Sequence, residues 1–533
     1  MRQSADYVFN SGQVVTVDAD ALVTEAVAVA DNRILRVGPD DAMADVIGPE
    51  TRVIDLQGRS VVPGFIDSHI HMAMGVQDLG LNLRYPHVKS LDDIFGKVRQ
   101  AVADSPPGTL IRGWGYDQNR LAEKRHPTRD DLDALAPNHP VVLIRTCEHM
   151  SVHNSRSLEM AGVREDEPDP RGGRICRDDR GRINGLMKEL AHVRMIQRAP
   201  FTDEEIYEGL IAFDRKLCRY GITSVHDVGA DRPLLPLFHK AHRNRRLNIR
   251  VYVGIYCDTL AYVRDFMKSG VLTGFGNPRL KVGPLKAMLD GSSSGPSSAT
   301  RAPYTSDPTD SGILYFDQEE VDAFVDDANR LGYQVTAHAV GDRAVEQMVN
   351  AIEKALKACP RKDHRHRIEH CAIVDDALLE RIRALGIVPV GQPVFLYEFG
   401  DGYRFHYGEE RLDHMFVGRS YLDRGIVAAA SSDSPVTSPD PLLGIHLAVN
   451  RVTQSGRAVS QHERVGVMDA LRLYTINGAY ASFEEDIKGS LEPGKLADLA
   501  VLSAPILDCD PGQIKDIEVD ATMIDGVLVH EAA

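Results

Sequence analysis

The sequence predicts an α/β fold with a (β/α)8 barrel of the TIM type, a small composite β-sandwich domain from both termini, and an inserted subdomain after the first barrel strand. Short apolar runs alternate with longer amphipathic segments through the middle of the 533 residues, and alternating β-branched runs occupy both ends. We assign residues 1–60 and 480–533 to the β-sandwich and 61–479 to the barrel. The insertion within the barrel covers about 75–200.

The two ends of the chain share one pattern. Residues 7–9, 13–17, 26–29 and 33–37 are β-branched, alternating runs, and residues 497–502, 517–519 and 521–529 look the same. Turn residues such as Ser11-Gly12 and Asp31-Asn32 separate the first set. Two all-β ends that flank a different middle predict one small sheet domain.

The middle of the chain has the βα pattern of a parallel sheet. Eight apolar runs read as strands, at 65–70, 223–227, 250–255, 283–289, 334–338, 366–370, 388–391 and 426–433. Helices are predicted between them, for example at 318–331 and 342–358. Eight is the number of parallel strands that closes a TIM-type barrel.

The interval between the first two barrel strands is far longer than one crossover helix requires. It contains strand-like runs of its own, at 108–112 and 141–145, and a glycine-rich turn region at 171–185. We interpret it as an inserted subdomain over the mouth of the barrel, where the loops that follow the strands project.

Composition limits the classes of partner. The formal net charge of −16 argues against nucleic acid or an anionic membrane as the main partner, because both require a basic face. Seven scattered cysteines without a C-x-x-C pair indicate reduced thiols. No apolar run is long enough to span a bilayer, and no signal core follows Met1. We therefore expect a cytoplasmic protein with a small-molecule substrate, and leave a homo-oligomer open.

Two histidines at the end of the first predicted strand are candidate metal ligands. His69 and His71 are two residues apart, so both imidazoles face the same side of a strand. Converging imidazole nitrogens can bind one divalent metal within about 2.1 Å. Alone, such a pair also arises often by chance.

Four further polar residues fall at predicted strand ends, and in a barrel those ends surround one mouth. They are Lys286, His338, His370 and Asp433. Each has an ordinary explanation: a core histidine for His338, a solvated charged segment for His370, an ion pair for Lys286, and a turn or helix cap for Asp433. Their coincidence in this order favours a metal site, in which an aspartate accepts a proton from water whose pKa a metal lowers from about 15.7 to about 7.

These residues and their surroundings resemble the amidohydrolase superfamily, and in particular the branch that contains N-substituted formamide deformylase. The matching segments lie at 62–71, 221–227, 286–292, 338–344, 367–370, 432–435, 473–477 and 494–502. The resemblance covers essentially the whole chain, and it implies the barrel, the composite β domain and the insertion after strand one.

The resemblance also implies roles for the candidate ligands. His69 and His71 would bind the more buried metal, and His338 and His370 the more exposed one. Lys286 would bridge the two as a carboxylated lysine. Asp433, itself near the metals, would take a proton from the attacking water and return it to the leaving group.

Five further residues are candidate substrate contacts. His226 ends the second strand and should face the mouth, while Trp114, Asp117 and His149 lie in the insertion and resemble segments common in the branch. The alternative is that Trp114 packs the insertion's core and His149 stabilises a turn. Asp290 opens a loop, 290–301, that departs from the usual Leu-Gly-Ser-Arg-Thr form of the branch, which puts substrate contacts from this loop in doubt.

Together these observations predict a metal-dependent hydrolase that cleaves an amide or similar C–N bond of a small molecule. The expected cofactor is Zn²⁺ or a similar divalent ion, as one or two ions. The same metals could support deamination, ester hydrolysis or decarboxylation. A non-catalytic binding or assembly homologue is the alternative from another class, and it would have no need of six candidate site residues.

Overall fold

A computed structural model of the chain describes residues 4–198, 200–229, 234–256 and 260–532. The strands before the insertion are β1 Tyr7–Asn10, β2 Gln13–Val15, β3 Val23–Thr24, β4 Ala26–Ala30, β5 Arg33–Gly38, β6 Arg52–Asp55, β7 Ser60–Pro63 and β8 Phe65–Ile70. The insertion contains β9 Leu81–Asn82, β10 Ile111–Tyr116, β11 Val141–Arg145, β12 Met150–His153, β13 Gly173–Arg177 and β14 Ile183–Glu189. The remaining strands are β15 Ile222–Asp227, β16 Arg250–Ile255, β17 Gly276–Asn277, β18 Leu280–Met288, β19 Val335–Ala339, β20 Arg367–His370, β21 Val388–Gly391, β22 Ala429–Ala430, β23 Leu499–Leu502, β24 Val519–Ile524 and β25 Val527–Glu531.

The helices alternate with the barrel strands and also cover the insertion. They are α1 Leu91–Asp104, α2 Arg129–Leu135, α3 Ser155–Met160, α4 Leu190–Gln197, α5 Asp203–Cys218, α6 Leu235–Arg243, α7 Leu260–Met267, α8 Gln318–Arg330, α9 Asp342–Ala358, α10 Asp376–Leu385, α11 Val394–Leu412, α12 Arg419–Asp423, α13 Pro441–Asn450, α14 Val467–Leu473 and α15 Ile476–Ala481. Short 3-10 turns lie at Asp40–Met43, Met72–Leu79, Gln461–Glu463 and Pro511–Asp516.

The predicted barrel is confirmed. Eight parallel strands follow one another in the order β8, β15, β16, β18, β19, β20, β21, β22. The short β17 pairs antiparallel with β18 outside this order. At the seam between the last strand and the first, the backbone N–H of Asp433 donates to the carbonyl of His69 at 2.9 Å. The parallel sheet is therefore nearly closed, and the ends of its strands meet at one mouth.

The eighth strand is shorter than predicted. The sequence indicated a strand over 426–433, and only Ala429–Ala430 is regular strand. Residues beyond it turn toward β8 instead, where the backbone N–H and hydroxyl of Ser432 donate to the Asp67 carboxylate. Asp433 itself has a φ of 56°, in the left-handed region, which a continuing strand does not allow.

Strands from both ends of the chain share one sheet, as the sequence predicted. This six-stranded sheet has the order β25, β24, β23, β7, β2, β3, and a four-stranded sheet of N-terminal strands has the order β5, β4, β1, β6. Buried apolar side chains of both sheets, such as Phe9, Val27, Leu499 and Met523, form a common core. The barrel and this sandwich are joined by Arg250 of β16, whose Nε lies 2.6 Å from the buried carboxylate of Asp498.

The insertion has a sheet of its own, in the order β13, β14, β12, β11, β10, β9. The run predicted at 141–145 is β11, whereas the run predicted at 108–112 becomes a strand only from Ile111. Gly108 has a φ of 87°, so the chain is still turning there. Within the described residues no helix is both long and apolar enough to cross a membrane.

Several helices begin with reciprocal caps that the sequence encodes locally. In α5 the Thr202 side chain accepts from the N–H of Glu205, whose carboxylate accepts from the N–H of Thr202. The same box opens α1, α2 and α8. Each cap satisfies N–H groups that a helix leaves without a partner and so fixes where the helix begins; α8 begins at Gln318, as the sequence indicated.

Candidate metal centre

The six candidate ligands converge on one cavity at the mouth of the barrel. The cavity has a volume of about 190 Å³, and its wall includes His69, His71, Lys286, His338, His370 and Asp433. They come from the ends of β8, β18, β19 and β20 and from the segment after β22. Residues more than 360 positions apart in sequence thus meet because the barrel brings the ends of its parallel strands together.

His69, His71 and Asp433 form a cluster that could hold a metal ion. The Nε2 atom of His69 lies 3.1 Å from Asp433 Oδ1, and the Nε2 atom of His71 lies 3.2 Å from the same oxygen. Burial alone would raise the pKa of Asp433, but the two imidazoles beside it hold that pKa well below its ordinary value. The carboxylate is therefore ionised.

The hydrogen bonds on the far side of each ring determine which nitrogen faces this cluster. The Nδ1 atom of His69 lies 2.7 Å from the carboxylate of Glu369, and the Nδ1 atom of His71 lies 2.8 Å from the carbonyl of Gly229. Both partners only accept, so each Nδ1 carries a proton and each Nε2 is directed toward Asp433. Each Nε2 lies within hydrogen-bonding distance of the Asp433 carboxylate, and a divalent cation bound there would replace the Nε2 protons and meet two imidazole nitrogens and one carboxylate oxygen.

A hydrogen bond from Nδ1 also orients the ring of His370. Its Nδ1 lies 2.8 Å from Oε1 of Gln392, and the amide orientation is fixed because Nε2 of Gln392 lies 2.9 Å from the hydroxyl of Ser431. Burial lowers the pKa of His370 to about 3, which keeps the ring neutral. A neutral imidazole with a free Nε2 is the form that ligates metals.

His338 presents its other ring nitrogen. Its Nε2 lies 3.2 Å from the carbonyl of Gly291 and donates there, which leaves Nδ1 as the atom with a lone pair. Its ring centroid lies 4.4 Å from that of His370. Burial, with the charge of neighbouring imidazoles, holds the pKa of His338 well below its usual range. The ring is neutral and fit for ligation.

Lys286 is buried in the same group, with 3% of its surface exposed. Burial lowers its pKa to about 8, although the charges of Glu369 and Asp433 oppose that effect. A lowered pKa increases the fraction of neutral amine, and only the neutral amine can react with carbon dioxide to give a carbamate.

Much of the remaining cavity wall is apolar. Trp114 of β10 stacks on Phe201, with ring centroids 5.7 Å apart. Other apolar members of the wall are Met74, Val76, Ile144, Val193, Ile196, Ile206, Val228, Met288 and Val436. The insertion supplies several of these side chains, so it closes one side of the mouth with an apolar surface.

His149 also lies in the cavity wall, with its ring centroid 5.1 Å from that of His338. Its Nδ1 lies 2.6 Å from the carboxylate of Glu189, a buried residue that also accepts from Ser297 and Tyr315. Glu189 has a φ of 54°, a conformation that costs a residue with a side chain about 1–3 kcal/mol. His149 is thus held rigidly at the metal side of the cavity.

Three of the predicted substrate contacts, His226, Asp117 and Asp290, do not line the cavity. The expectation that His226 faces the mouth is wrong. His226 points into the barrel interior, where its Nδ1 lies 2.9 Å from Arg367. His226 pairs in regular register with Tyr252 of β16, and the next residue, Asp227, ends the strand.

Asp117 and Asp290 have structural partners and do not line the cavity. Asp117 pairs at 2.8 Å with the fully buried Arg145, because a bulge after Trp114 turns the chain away from the mouth. Asp290 accepts from the backbone N–H groups of Val340, Gly341 and Ala299 at 2.8–3.0 Å.

The glycine at position 341 explains how closely the Asp290 loop packs. A Cβ atom there would lie 1.8 Å from the carbonyl oxygen of Ala299, so only glycine fits. The serine-rich loop that departs from the branch pattern makes similar tight contacts, since Ser294 bonds Arg145 at 2.9 Å and Ser298 bonds Tyr407 at 2.9 Å. It ties the barrel to the insertion.

Sequence reasoning missed two residues that orient candidate ligands, Glu369 and Gln392, and one that orients His149, Glu189. Only Glu369 left a sequence signal. It stands two residues after Arg367 in a strand without exposed positions, and the two side chains form a buried ion pair at 2.9 Å. A charged pair at that spacing in an apolar strand could have indicated a buried network.

Comparison with known proteins agrees with this geometry. The family model described as "Amidohydrolase family" matches residues 52–530. The YtcJ protein of Bacillus subtilis (strain 168) is 30% identical over 535 residues, which cover 98% of this chain and 99% of that protein. The N-substituted formamide deformylase of Arthrobacter pascens is 30% identical over 543 residues, covering 100% and 99%.

A solved structure supports the same assignment. An uncharacterized metal-dependent hydrolase from Pyrococcus horikoshii OT3 superposes with a TM-score of 0.76 at 26% identity, covering 95% of this chain and 99% of that chain. The resemblance stated from the sequence is confirmed. The chain belongs to the amidohydrolase family, and it is a hydrolase of carbon–nitrogen bonds.

Proposed function

We propose that this protein is a zinc-dependent amidohydrolase that cleaves the amide bond of a small, uncharged molecule with an apolar substituent on nitrogen. The observation that carries the proposal is the fixed orientation of His69 and His71, whose Nε2 atoms converge on the ionised Asp433. Two imidazoles and a carboxylate in one cluster are a donor set that suits Zn²⁺.

The donor set fits one or two metal ions. His69, His71 and Asp433 would hold one ion, and His338 and His370 would hold a second, with a carboxylated Lys286 between them. When bound, such a metal polarises a carbonyl and lowers the pKa of water to about 7.

The chain's own groups would supply the proton transfers. A carboxylate oxygen of Asp433 accepts a proton from the attacking water and then returns it to the nitrogen of the leaving amine. The backbone bond from Asp433 to the carbonyl of His69 fixes the carboxylate beside the ligands during both transfers. His149, held by Glu189 and adjacent to His338, would orient the substrate carbonyl beside the metal ligands.

The cavity wall supports the substrate class. Within the described part of the chain no arginine lines it, so a substrate carboxylate would find no bidentate partner there. Trp114 and Phe201 offer an apolar surface for a substituent of aromatic size. A relative named N-substituted formamide deformylase supports an N-substituted amide as substrate.

Metal analysis and a substrate panel test the proposal together. We expect about one to two equivalents of zinc per chain in protein purified without chelator. Among N-formyl and N-acetyl amines of equal size, kcat/KM should be higher for benzyl than for carboxymethyl substituents. Asp433→Ala should lose activity on every substrate of the panel, and the exposed Asp423→Ala variant is the matched control.

Two results would contradict the proposal. One is wild-type protein that holds no metal and takes none up on reconstitution. The other is metal-loaded protein that releases ammonia from amidines or alcohol from esters while leaving every amide intact, which would favour the deaminase or esterase alternative.

A further inference from the structure

A second cavity of about 420 Å³ adjoins the active-site cavity. Both cavities have Met74 and Val436 in their walls, so these two side chains form a partition between them. The second cavity also borders Ser434 and Pro435, the residues that directly follow Asp433. It therefore lies against the segment that carries the proposed proton-transfer group.

Two arginines in this second cavity have no carboxylate partner. Within the described residues neither Arg84 nor Arg120 forms an ion pair within 4.0 Å, although Glu398 lies near enough to interact with the charge of both and Glu148 with that of Arg84. Arg84 donates to the carbonyl of Pro435 at 2.8 Å, and Arg120 stacks over the ring of Tyr85 at 4.1 Å. Both guanidinium groups keep N–H donors for a ligand.

The acidic side chains that line the second cavity limit the negative charge that a ligand bound there can carry. Asp117 is already neutralised by Arg145 at 2.8 Å. Glu398 accepts only from the backbone N–H of Ser438, at 3.1 Å, and its charge offsets one of the two arginines. Lys216 and His87 lie on the exposed rim, where solvent screens their charge. The enclosed part of the cavity is thus matched to one negative charge.

The polar and aromatic side chains of the cavity further restrict the chemical class of the ligand. A planar guanidinium group binds a carboxylate through two parallel N–H···O bonds. Tyr85, Tyr397 and Phe399 provide apolar surface for a short organic group next to that carboxylate. A phosphate dianion would carry one negative charge more than the enclosed part of the cavity can neutralise.

We propose that this cavity is a binding site for a small organic monocarboxylate, held by Arg84 and Arg120. The site is distinct from the metal cluster and does not rest on the proposed reaction. Arg84 also connects the two cavities, because it lies 3.4 Å from Oε1 of Gln77, whose Nε2 donates at 3.0 Å to Glu148 of the active-site wall. Occupancy of the second cavity is thereby linked to the active-site wall and to the Asp433 segment.

Saturation-transfer NMR with ¹³C-labelled acetate on the full-length protein, purified with its metal, tests the site. We expect saturable acetate binding in wild type and a dissociation constant about tenfold to a hundredfold higher in Arg84→Gln and in Arg120→Gln, because each change removes a charged hydrogen-bond donor. Arg419→Gln, a surface arginine paired with Asp423, is the matched control and should bind as wild type does.

Other outcomes would overturn the assignment. Acetate bound directly to the metal would persist unchanged in both variants, as would non-specific surface binding. Methylammonium, which carries only a positive charge, should show no saturable effect; binding of methylammonium in place of acetate would identify Glu398 as the ligand-binding group. Arg84 bonds the Pro435 carbonyl, whereas Arg120 stacks on Tyr85, so the Arg120→Gln variant remains informative if circular dichroism shows that Arg84→Gln does not fold.

Discussion

Replacement of Glu369 by glutamine tests the idea that the charge behind His69 prepares it to bind metal. The Glu369 carboxylate lies 2.7 Å from Nδ1 of His69, and it also accepts from Thr336 at 2.6 Å and from Arg367 at 2.9 and 3.1 Å. Glutamine keeps the shape but removes the charge, and its amide can turn an N–H group toward Nδ1. His69 would then carry its proton on Nε2, the wrong tautomer for a ligand.

Two magnitudes follow from these contacts. Loss of a partner behind a metal ligand typically costs 10–100-fold in affinity, which corresponds to about 1.4–2.8 kcal/mol. Arg367 is fully buried, and a buried ion pair broken on one side costs about 3–5 kcal/mol of folding stability. The glutamine amide still accepts hydrogen bonds from Arg367, so we expect the stability loss to lie below that range.

Competition with a chromophoric zinc chelator measures the affinity, and thermal unfolding of the metal-free protein measures the stability. Glu369→Asp retains the charge and separates the two effects, because its shorter side chain withdraws from His69 while remaining able to pair with Arg367. Glu380→Gln, an exposed carboxylate on α10, is the control for loss of charge. Equal zinc affinities in wild type, Glu369→Gln and Glu369→Asp would refute the reasoning.

Four further predictions concern the site and its support. Asp433→Asn should lower kcat about 10²–10⁴-fold in metal-loaded protein, because it removes the proton acceptor, and a loss below tenfold contradicts that role. Phe201→Ala should raise KM for an N-benzyl amide about tenfold and leave N-methyl amides unaffected; equal effects on both would refute the apolar subsite. ¹³C-bicarbonate should give a carbamate resonance in wild type that Lys286→Arg lacks, and its absence from wild type excludes carboxylation. Arg250→Met should lower the free energy of unfolding by about 3–5 kcal/mol in chemical denaturation, because it leaves the buried Asp498 carboxylate without its partner. The double variant Arg250→Met with Asp498→Leu should recover much of that loss, and no recovery would contradict a buried ion pair.

The barrel strands could be predicted from the sequence because parallel strands buried on both faces are continuous apolar runs between turns. The candidate ligands could be predicted for the same reason, since polar residues such as His69 and His370 stand out where an apolar strand ends. The register of each strand, and so the direction of its side chains, is harder to predict from the sequence. His226 and Asp227 are neighbours on β15 and so face opposite sides of the sheet, and the sequence alone does not show which of the two faces the mouth.

The partners that orient the ligands could not be predicted, because they are long-range contacts. Glu369 reaches His69 across 300 positions, and Glu189 meets Ser297 only after the insertion and a barrel loop have packed together. Local propensity carries no information about such pairs. The same holds for the eighth strand, which ends early because Ser432 finds its acceptor on Asp67 of the first strand.

The pairing of β7 with β23 has a consequence for biosynthesis. Val61 lies opposite Val501, so the ribosome adds more than four hundred residues after one strand before its neighbour exists. At 5–20 residues per second that delay lasts roughly 20–90 s. During this time one side of β7 has no strand to pair with, and an exposed strand edge is a template for aggregation. Newly made chains should therefore depend on chaperones until β23, which begins at Leu499, has emerged, and a truncation before Leu499 should leave the protein insoluble.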